Sequence, residues 1–403
     1  MLVHLLLLRV YAQEQEPVEN GKLVELECVY SAMPWYNMRG GLSKGFVYMD
    51  NVDLTAKINL HRLFKTRQNL YMFVYGLGNN GGMATNLMGD YQVASNIQTN
   101  KAWHFFEIWV QKNFFHDRLS ALVGTYNLNS EFDVLRPGTI FINSSFGMGA
   151  EYGNSGLNGP SSFPVTSFGV RLATSVKDHV KLKLAILDGV PGDPSNPRSN
   201  AIKLSKKDGA MIAFESSYYP GVTKNLAMSR GYVTRRKKVG REHSMPTDDK
   251  INLGGWYYTS KYVNVYDSTM AHGNWGMYAG FQHYWFFSKY DDRYLAFFGR
   301  YGVAADRFNR VGSAISGGVL FGASTSDHTD YLGLGFTTAL AGQPYINAYR
   351  TSKRGETALE LTYSFPFRRW LSMQPDLQYI IHPGMNGNIP NPLSFSILFQ
   401  FTI

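Results

Sequence analysis

The sequence predicts an all-β fold, a transmembrane antiparallel up-and-down β-barrel of about sixteen strands. Three observations predict it. Apolar and polar residues alternate with period two in segments that recur along the whole chain. The stretches between those segments are alternately short and long. No apolar run approaches the roughly 20 residues that a membrane-spanning helix needs; the longest is Leu2–Leu8.

Composition agrees. Of 403 residues, 17% are charged and 15% aromatic, with 40 Gly, 26 Tyr and 26 Phe. A soluble domain carries about 25% charged residues. Little charge and many Tyr, Phe and Gly suit a β-protein whose outer face meets lipid, although a secreted all-β protein has a similar make-up. The net charge of +9 admits anionic lipids, anionic solutes or nucleic acid as partners. The charges are scattered through β-like segments, so a nucleic-acid partner is not expected. The one dense run, Arg235, Arg236, Lys237, Lys238 and Arg241, reads as a basic loop. Cys28 is the single cysteine, so neither an internal disulfide nor a Cys-based metal site is expected.

At the N-terminus a short apolar core leads to Val10-Tyr11-Ala12, which resembles the end of a secretory signal without its positive start. Residues 1–12 are therefore expected to be a signal-peptide remnant. Residues 13–403 form one barrel domain in this reading.

Backbone groups in lipid must all be paired, so only helices or closed barrels span a bilayer. A barrel strand turns apolar residues to lipid and polar ones to the lumen. In 46–60, Phe46, Tyr48, Val52, Leu54, Ala56, Ile58 and Leu60 oppose Asn51, Asp53, Thr55, Lys57 and Asn59. In 102–113, Phe106, Ile108 and Val110 oppose Glu107, Trp109, Gln111 and Asn113. Leu182, Leu184 and Ile186 oppose Lys181 and Lys183. Leu359, Leu361 and Tyr363 oppose Glu360 and Thr362, and Met373, Leu377 and Tyr379 oppose Gln374, Asp376 and Gln378. The last segment sets Phe395, Ile397, Phe399 and Phe401 against Ser394, Ser396 and Gln400.

Strands are expected near 22–30, 46–60, 70–76, 102–113, 119–126, 166–174, 180–188 and 210–219. Eight more are expected near 250–259, 274–287, 293–302, 313–322, 330–340, 356–365, 372–381 and 394–403. The even total puts both ends on the side of the short turns, the periplasmic side. By that parity 220–249 should be a turn, yet it is long and basic, so it holds an insertion or a hairpin around Asn225–Val233. The segment 127–165, with Pro137, Pro160 and Pro164, either folds inward to narrow the lumen or stays external.

No motif for catalysis, metal or cofactor binding stands out. Gly76-Leu-Gly78-Asn-Asn-Gly81 has the spacing of a dinucleotide loop, but no helix follows it, and a Gly-rich external loop is expected. The ten histidines are dispersed. Charged residues on the polar faces carry more information, because inside a barrel they set field and size selectivity. Lys57 and Arg300 are such residues by parity, as are Glu360 and Asp376. Arginine's planar fork can bond vicinal hydroxyls, and an aromatic such as Trp109 can stack on a sugar ring.

A series of blocks then points to a family. They include Gly40-Gly41-x-x-x-Gly45, Gly89-Asp90-Tyr-Gln92-Val-Ala-Ser95-Asn96 and Phe106-Glu107-Ile-Trp109-Val-Gln111. They continue with Asn127-x-Asn129-x-Glu131-Phe132, Gly169-Val-Arg171-Leu172, Leu187-Asp188-Gly189-x-Pro191-Gly192 and Met373-Gln374-Pro375-Asp376. In order and spacing the chain resembles the carbohydrate-selective outer-membrane porins of the OprB type, from about Gly40 to the end. The resemblance implies facilitated diffusion of monosaccharides such as glucose across the outer membrane of a Gram-negative bacterium. It implies no enzyme activity and no cofactor. It also implies a narrow eyelet of charged side chains and an aromatic, to which Glu107, Trp109 and Arg171 are assigned. Lys57, Arg300, Glu360 and Asp376 join them as the expected solute pathway. Expected partners are the small polar solute, membrane lipid and lipopolysaccharide, and the barrel-assembly machinery. The chain departs from the type by ending in Phe401-Thr402-Ile403 rather than an aromatic residue. Two other readings compete: a porin for a basic amino acid or an anion, and a secreted all-β enzyme or adhesin.

Overall fold

A computed structural model describes residues 22–66, 69–115, 117–176, 179–200, 202–220, 248–287, 293–324 and 329–403. The strands are β1 (Val24–Arg39), β2 (Gly45–Asn59), β3 (Leu70–Asn79), β4 (Ala102–Phe114), β5 (Leu119–Tyr126) and β6 (Ser167–Val176). Next come β7 (Val180–Asp188), β8 (Ala210–Tyr218), β9 (Lys250–Tyr258), β10 (Tyr262–Val263), β11 (Met270–Ala271) and β12 (Asn274–Phe286). The chain ends with β13 (Tyr294–Ala304), β14 (Val311–Ser324), β15 (Thr329–Ala341), β16 (Gly355–Arg368), β17 (Leu371–Ile381) and β18 (Leu393–Thr402). Sixteen of these close into one barrel, each paired antiparallel to its chain neighbour, and β1 pairs with β18 to seal it. β10 and β11 form a small hairpin of their own in an external loop.

Closure removes the sheet edges that lipid could not satisfy. The outer face matches the bilayer. Leu54, Ile108, Leu172, Leu184, Leu253, Leu334 and Leu361 are exposed along its middle. Aromatic residues flank this band at both ends. Phe46, Trp103, Phe105 and Trp275 lie towards the long loops, and Phe115, Trp285, Phe367 and Trp370 towards the short turns. Such girdles mark the two membrane interfaces. Cys28 lies outward, opposite Leu54.

Four expectations change. β1 runs to Arg39 rather than stopping near residue 30, because Met33 and Trp35 are inward but apolar and Pro34 lies between them. An apolar inner face hides the alternation, and a proline argues against a strand. Phe106 is buried rather than lipid-facing. The pairing slips between Tyr75↔Glu107 and Gly76↔Phe105, so a β-bulge turns Phe106 in and puts Trp103 and Phe105 outside. In the Gly76–Gly81 stretch, Gly76 and Gly78 belong to β3 rather than to a loop. Leu60 also leaves the outer face, closing into a one-turn helix, Leu60–Leu63. The expected hairpin around 225–233, the basic run and residues 1–12 lie outside the described residues.

An arginine placed in the outer apolar band must desolvate its charge. Leu184→Arg is expected to cost about 2–4 kcal/mol, read from urea titration of protein folded into liposomes, whereas Leu184→Ile should stay within about 1.5 kcal/mol.

Candidate functional site

The lumen is narrowed by the segment between β5 and β6, which folds inward. Asn127 opens it as a cap, its side chain accepting from the Asn129 amide. Short turns follow at Leu128–Ser130, Arg136–Ile140 and Ser144–Phe146, then one helical turn at Ala150–Gly153. Leu128, Phe132, Ile142 and Tyr152 are fully buried. Tyr152 stacks on Trp256 of β9 at 3.8 Å. Phe141 and Phe146 stack at 4.4 Å and meet Phe298 of β13. The wall leaves room for this pair at Gly335, where a Cβ would come within 2.9 Å of both rings.

The segment's acidic side chains meet cations of the wall. Glu131 receives Arg171 of β6 at 2.8 Å. Arg171 also donates to Gln111 at 2.8 Å and to Ser120. Arg300 of β13 grips two carboxylates, Asp133 at 2.8 Å and Glu151 at 2.6 Å. Lys183 pairs with Glu215 at 2.8 Å and donates to the Glu131 carbonyl. Lys250 donates to the Val134 carbonyl at 2.7 Å, and the Asp133 amide donates to Glu215 at 2.8 Å.

The far wall works the other way, with carboxylates accepting from loop backbone. Glu360 of β16 accepts the amides of Ile142 and Asn143. Glu356, two inward positions away on the same strand, accepts the amides of Tyr91 at 2.7 Å and Gln92 at 2.8 Å, and that of Gly384. Gln374 donates to the Ile140 carbonyl at 2.6 Å. Asp376 accepts from Gln378, which also donates to the Ala94 carbonyl. Arg171 on β6 and Glu360 on β16 stand eight strands apart in the ring of sixteen. The segment is thus held at opposite ends of a diameter.

Tyr91, Gln92 and Ala94 belong to a second inward segment, between β3 and β4, which was not expected to enter the lumen. Ala84, Met88, Ala94 and Ile97 are buried in it. The two segments bond each other, Ser144 donating to the Val93 carbonyl at 3.0 Å and Asn96 to that of Ile142 at 2.9 Å.

The seven residues expected to line the pathway all face inward, and all are nearly closed to water. Arg171, Arg300 and Glu360 tether the inward segment. Glu107 accepts its first amide, from Asn127, at 2.9 Å and also receives the Trp109 indole N–H. Trp109 lies against Phe73 at 5.2 Å between ring centres, so its ring is not presented for stacking on a solute. Asp376 sits beside Glu360 on the next strand. Lys57 lies apart on β2, opposite Phe73. Glu131, Asp133, Glu151, Glu215, Lys250 and Glu356 were missed. For Glu131, Asp133 and Glu151 the signal available was a set of acidic residues inside an otherwise Gly-, Ser- and Asn-rich segment, and for Glu215, Lys250 and Glu356 it was charge on the inward row of a strand.

Burial acts to raise the Glu131 carboxyl, but Arg171, Lys181 and Lys183 outweigh it and hold the group below its ordinary range. Burial pushes the Asp133 carboxyl up from 3.8 to about 6, against Arg300, with Glu151 adding to the rise.

A closed barrel with an apolar belt and a lumen narrowed by tethered segments defines a porin of the Gram-negative outer membrane. Residues 43–403 match the family described as carbohydrate-selective porin, OprB family, and the chain belongs to it. It is a carbohydrate-selective outer-membrane porin. Porin B of Pseudomonas aeruginosa is 22% identical, over 96% of this chain and 88% of that protein. The high-pH structure of Pseudomonas putida OprB is similar with a TM-score of 0.78 at 18% identity, covering 94% of each chain. The outer membrane channel DcaP of Acinetobacter baumannii has a TM-score of 0.52 at 9% identity, over 94% of this chain and 97% of that one. Both structures share the fold.

Two outcomes follow. Glu360→Ala leaves two buried amides without an acceptor, at about 1–3 kcal/mol each. The segment is expected to loosen, so that liposomes carrying the variant swell faster in a disaccharide while the barrel's circular dichroism is unchanged. The Asp133 shift acts on pH dependence. Its carboxyl is raised in the folded state, so its stabilising contribution is present at low pH and lost as pH rises through about 6. The melting temperature of the wild type relative to Asp133→Asn should therefore fall between about pH 4 and pH 6 and level off above.

Proposed function

We propose that the solute is a monosaccharide such as glucose, passing by facilitated diffusion between the two inward segments and the wall. One observation carries the reading. At the Arg171–Glu131–Gln111 group the Glu131 side chain keeps 10% of its surface open and Gln111 is partly exposed, while Arg171 behind them is closed at 3%. This group offers paired donors and acceptors to vicinal hydroxyls. Glu131 and Gln111 contact the solute in this reading, and Arg171 holds both in place. Glu107, Arg300, Glu360 and Asp376 shape the passage by holding the segments, Trp109 by packing behind them, and Lys57 by its charge on the β2 wall.

The same proposal assigns residues 1–12 to a cleaved export signal and 13–403 to the mature barrel. Its outer band is solvated by lipid and lipopolysaccharide. Phe401, stacked with Trp370 at 6.0 Å and with Tyr30 at 6.0 Å, is the aromatic offered to the assembly machinery in this reading.

Proteoliposome swelling in isosmotic glucose, a disaccharide, arginine and a neutral amino acid tests the solute. Glucose is expected to enter faster than the amino acids, and Arg171→Gln should bring the glucose and arginine rates together. Faster arginine entry into wild-type vesicles would make this an amino-acid channel.

A further inference from the structure

The external rim above β4 carries an open cavity of about 540 Å³. It lies between the roots of the β3–β4 segment, at residues 81 and 99–101, and the turn 195–198 of the loop between β7 and β8. Asn100, Lys101 and the whole of that turn are exposed, so the cavity faces the outside. Its charge has one sign. Lys101 and Arg198 line it together with the neutral donors of Thr99, Asn100 and Asn196, and among the described residues no carboxylate does. Neither cation is paired among the described residues, whereas Lys203 on the same loop meets Asp193 at 3.0 Å. Asp193 also takes the Ser195 hydroxyl at 2.6 Å, so this nearby acid is already engaged. A free guanidinium and a free ammonium in one cavity attract an anion, and a guanidinium binds phosphate through paired hydrogen bonds.

The surface next to the cavity indicates what carries that anion. Lys101 leads directly into β4, whose Trp103 and Phe105 are 52% and 63% exposed on the outer face. Trp103 lies across Gly78 of β3, where a Cβ would come within 2.6 Å of its ring. The β7–β8 loop is fastened at the same place. Asn200 donates to the Trp103 carbonyl at 2.8 Å and accepts the Phe105 amide at 2.8 Å. Ile202 and Leu204, both exposed, follow on that loop and line one crevice with Phe105 and Phe168. Outward tryptophans of this kind mark headgroup height. A cationic cavity therefore stands at the membrane interface beside an apolar patch that continues into the bilayer. A free anion would use the cavity alone, whereas an anionic amphiphile uses both parts.

We propose that Lys101 and Arg198 bind a phosphate of an outer-leaflet glycolipid, the lipid A part of lipopolysaccharide, with its acyl chains along Trp103, Phe105, Ile202 and Leu204. The inference rests on the reading that lipopolysaccharide solvates the outer band, and it gives one such molecule a fixed place. It is independent of which solute crosses the lumen. Thr99, Asn100 and Asn196 offer hydrogen bonds to the glycolipid's sugar hydroxyls. A lipid seated there touches the root of the β3–β4 segment and the β7–β8 loop at once, and so ties an inward segment to the membrane outside.

The test is native mass spectrometry of the folded barrel in detergent, titrated with bisphosphorylated lipid A. The wild type is expected to bind it, and the double variant Lys101→Gln/Arg198→Gln to bind it about tenfold more weakly. Lys203→Gln, whose charge is already paired with Asp193, should bind as the wild type does. Lipid A stripped of its phosphates should bind the wild type as weakly as the intact lipid binds the double variant. Equal affinity of wild type and double variant for intact lipid A would overturn the site and leave the lipopolysaccharide shell standing. A wild type that binds no lipid A at all would overturn both. Inorganic phosphate held at Lys101 and Arg198 as tightly as lipid A would assign the cavity to a free anion, and the lipid site would again fail.

Discussion

A chain that crosses the inside of a barrel carries its peptide groups with it, and those groups need partners there. This constraint organises the lumen. The wall strands spend most of their backbone hydrogen bonds on each other, so their inward side chains do most of the work of serving the loops, with a few wall carbonyls such as those of Thr337 and Glu356 joining them. Carboxylates meet amides, as Glu356 and Glu360 do, and Lys183 and Lys250 meet carbonyls. Charged side chains inside the barrel are thus first a scaffold for loop backbone. Their effect on a passing solute comes through where they put that backbone.

The same constraint decides what the sequence discloses. A strand's period of two is local, and the outward rows such as Leu182, Leu184 and Ile186 are read without knowing any partner. Faces fail where a local rule is broken, as at the bulge of Phe106 and at the apolar inner row of Met33 and Trp35. The inward position of Arg171, Arg300 and Glu360 was legible for the same reason. Their partners were not. Glu360 and Ile142 are 218 residues apart, and Arg300 and Asp133 are 167. Nothing in a single chain joins such pairs. The Gly82–Lys101 stretch is held in the lumen by Glu356 and Gln378, far downstream, and by the other inward segment, and had no local mark at all.

The small residues of the wall belong to the same account. Glycine on an inward row, as at Gly335, is costly to a strand's own order. It is tolerated because Phe141 and Phe146 fill the space that a side chain would occupy. The loop's aromatic residues and the wall's glycines are complementary halves of one packing arrangement. The high glycine content that marks the chain as a barrel is in part the imprint of its plug.

Charge pairing also bears on which solute the lumen suits. Around β6, β7, β9 and β13 the cations Arg171, Lys183, Lys250 and Arg300 meet Glu131, Asp133, Glu151 and Glu215, so the charges there nearly cancel within hydrogen-bond range. On β16 the acids Glu356 and Glu360 are met by amides, which satisfy their lone pairs. A neutral polyol gains from such a surface because it can donate and accept without losing a hydration shell of its own charge. An ion pays desolvation at the same place and finds its counter-charges already engaged. Tethering the loops with charge pairs therefore does more than narrow the passage. It removes free charge from the wall at the point where a solute is closest to it, which favours hydrogen-bonding selection over selection by sign.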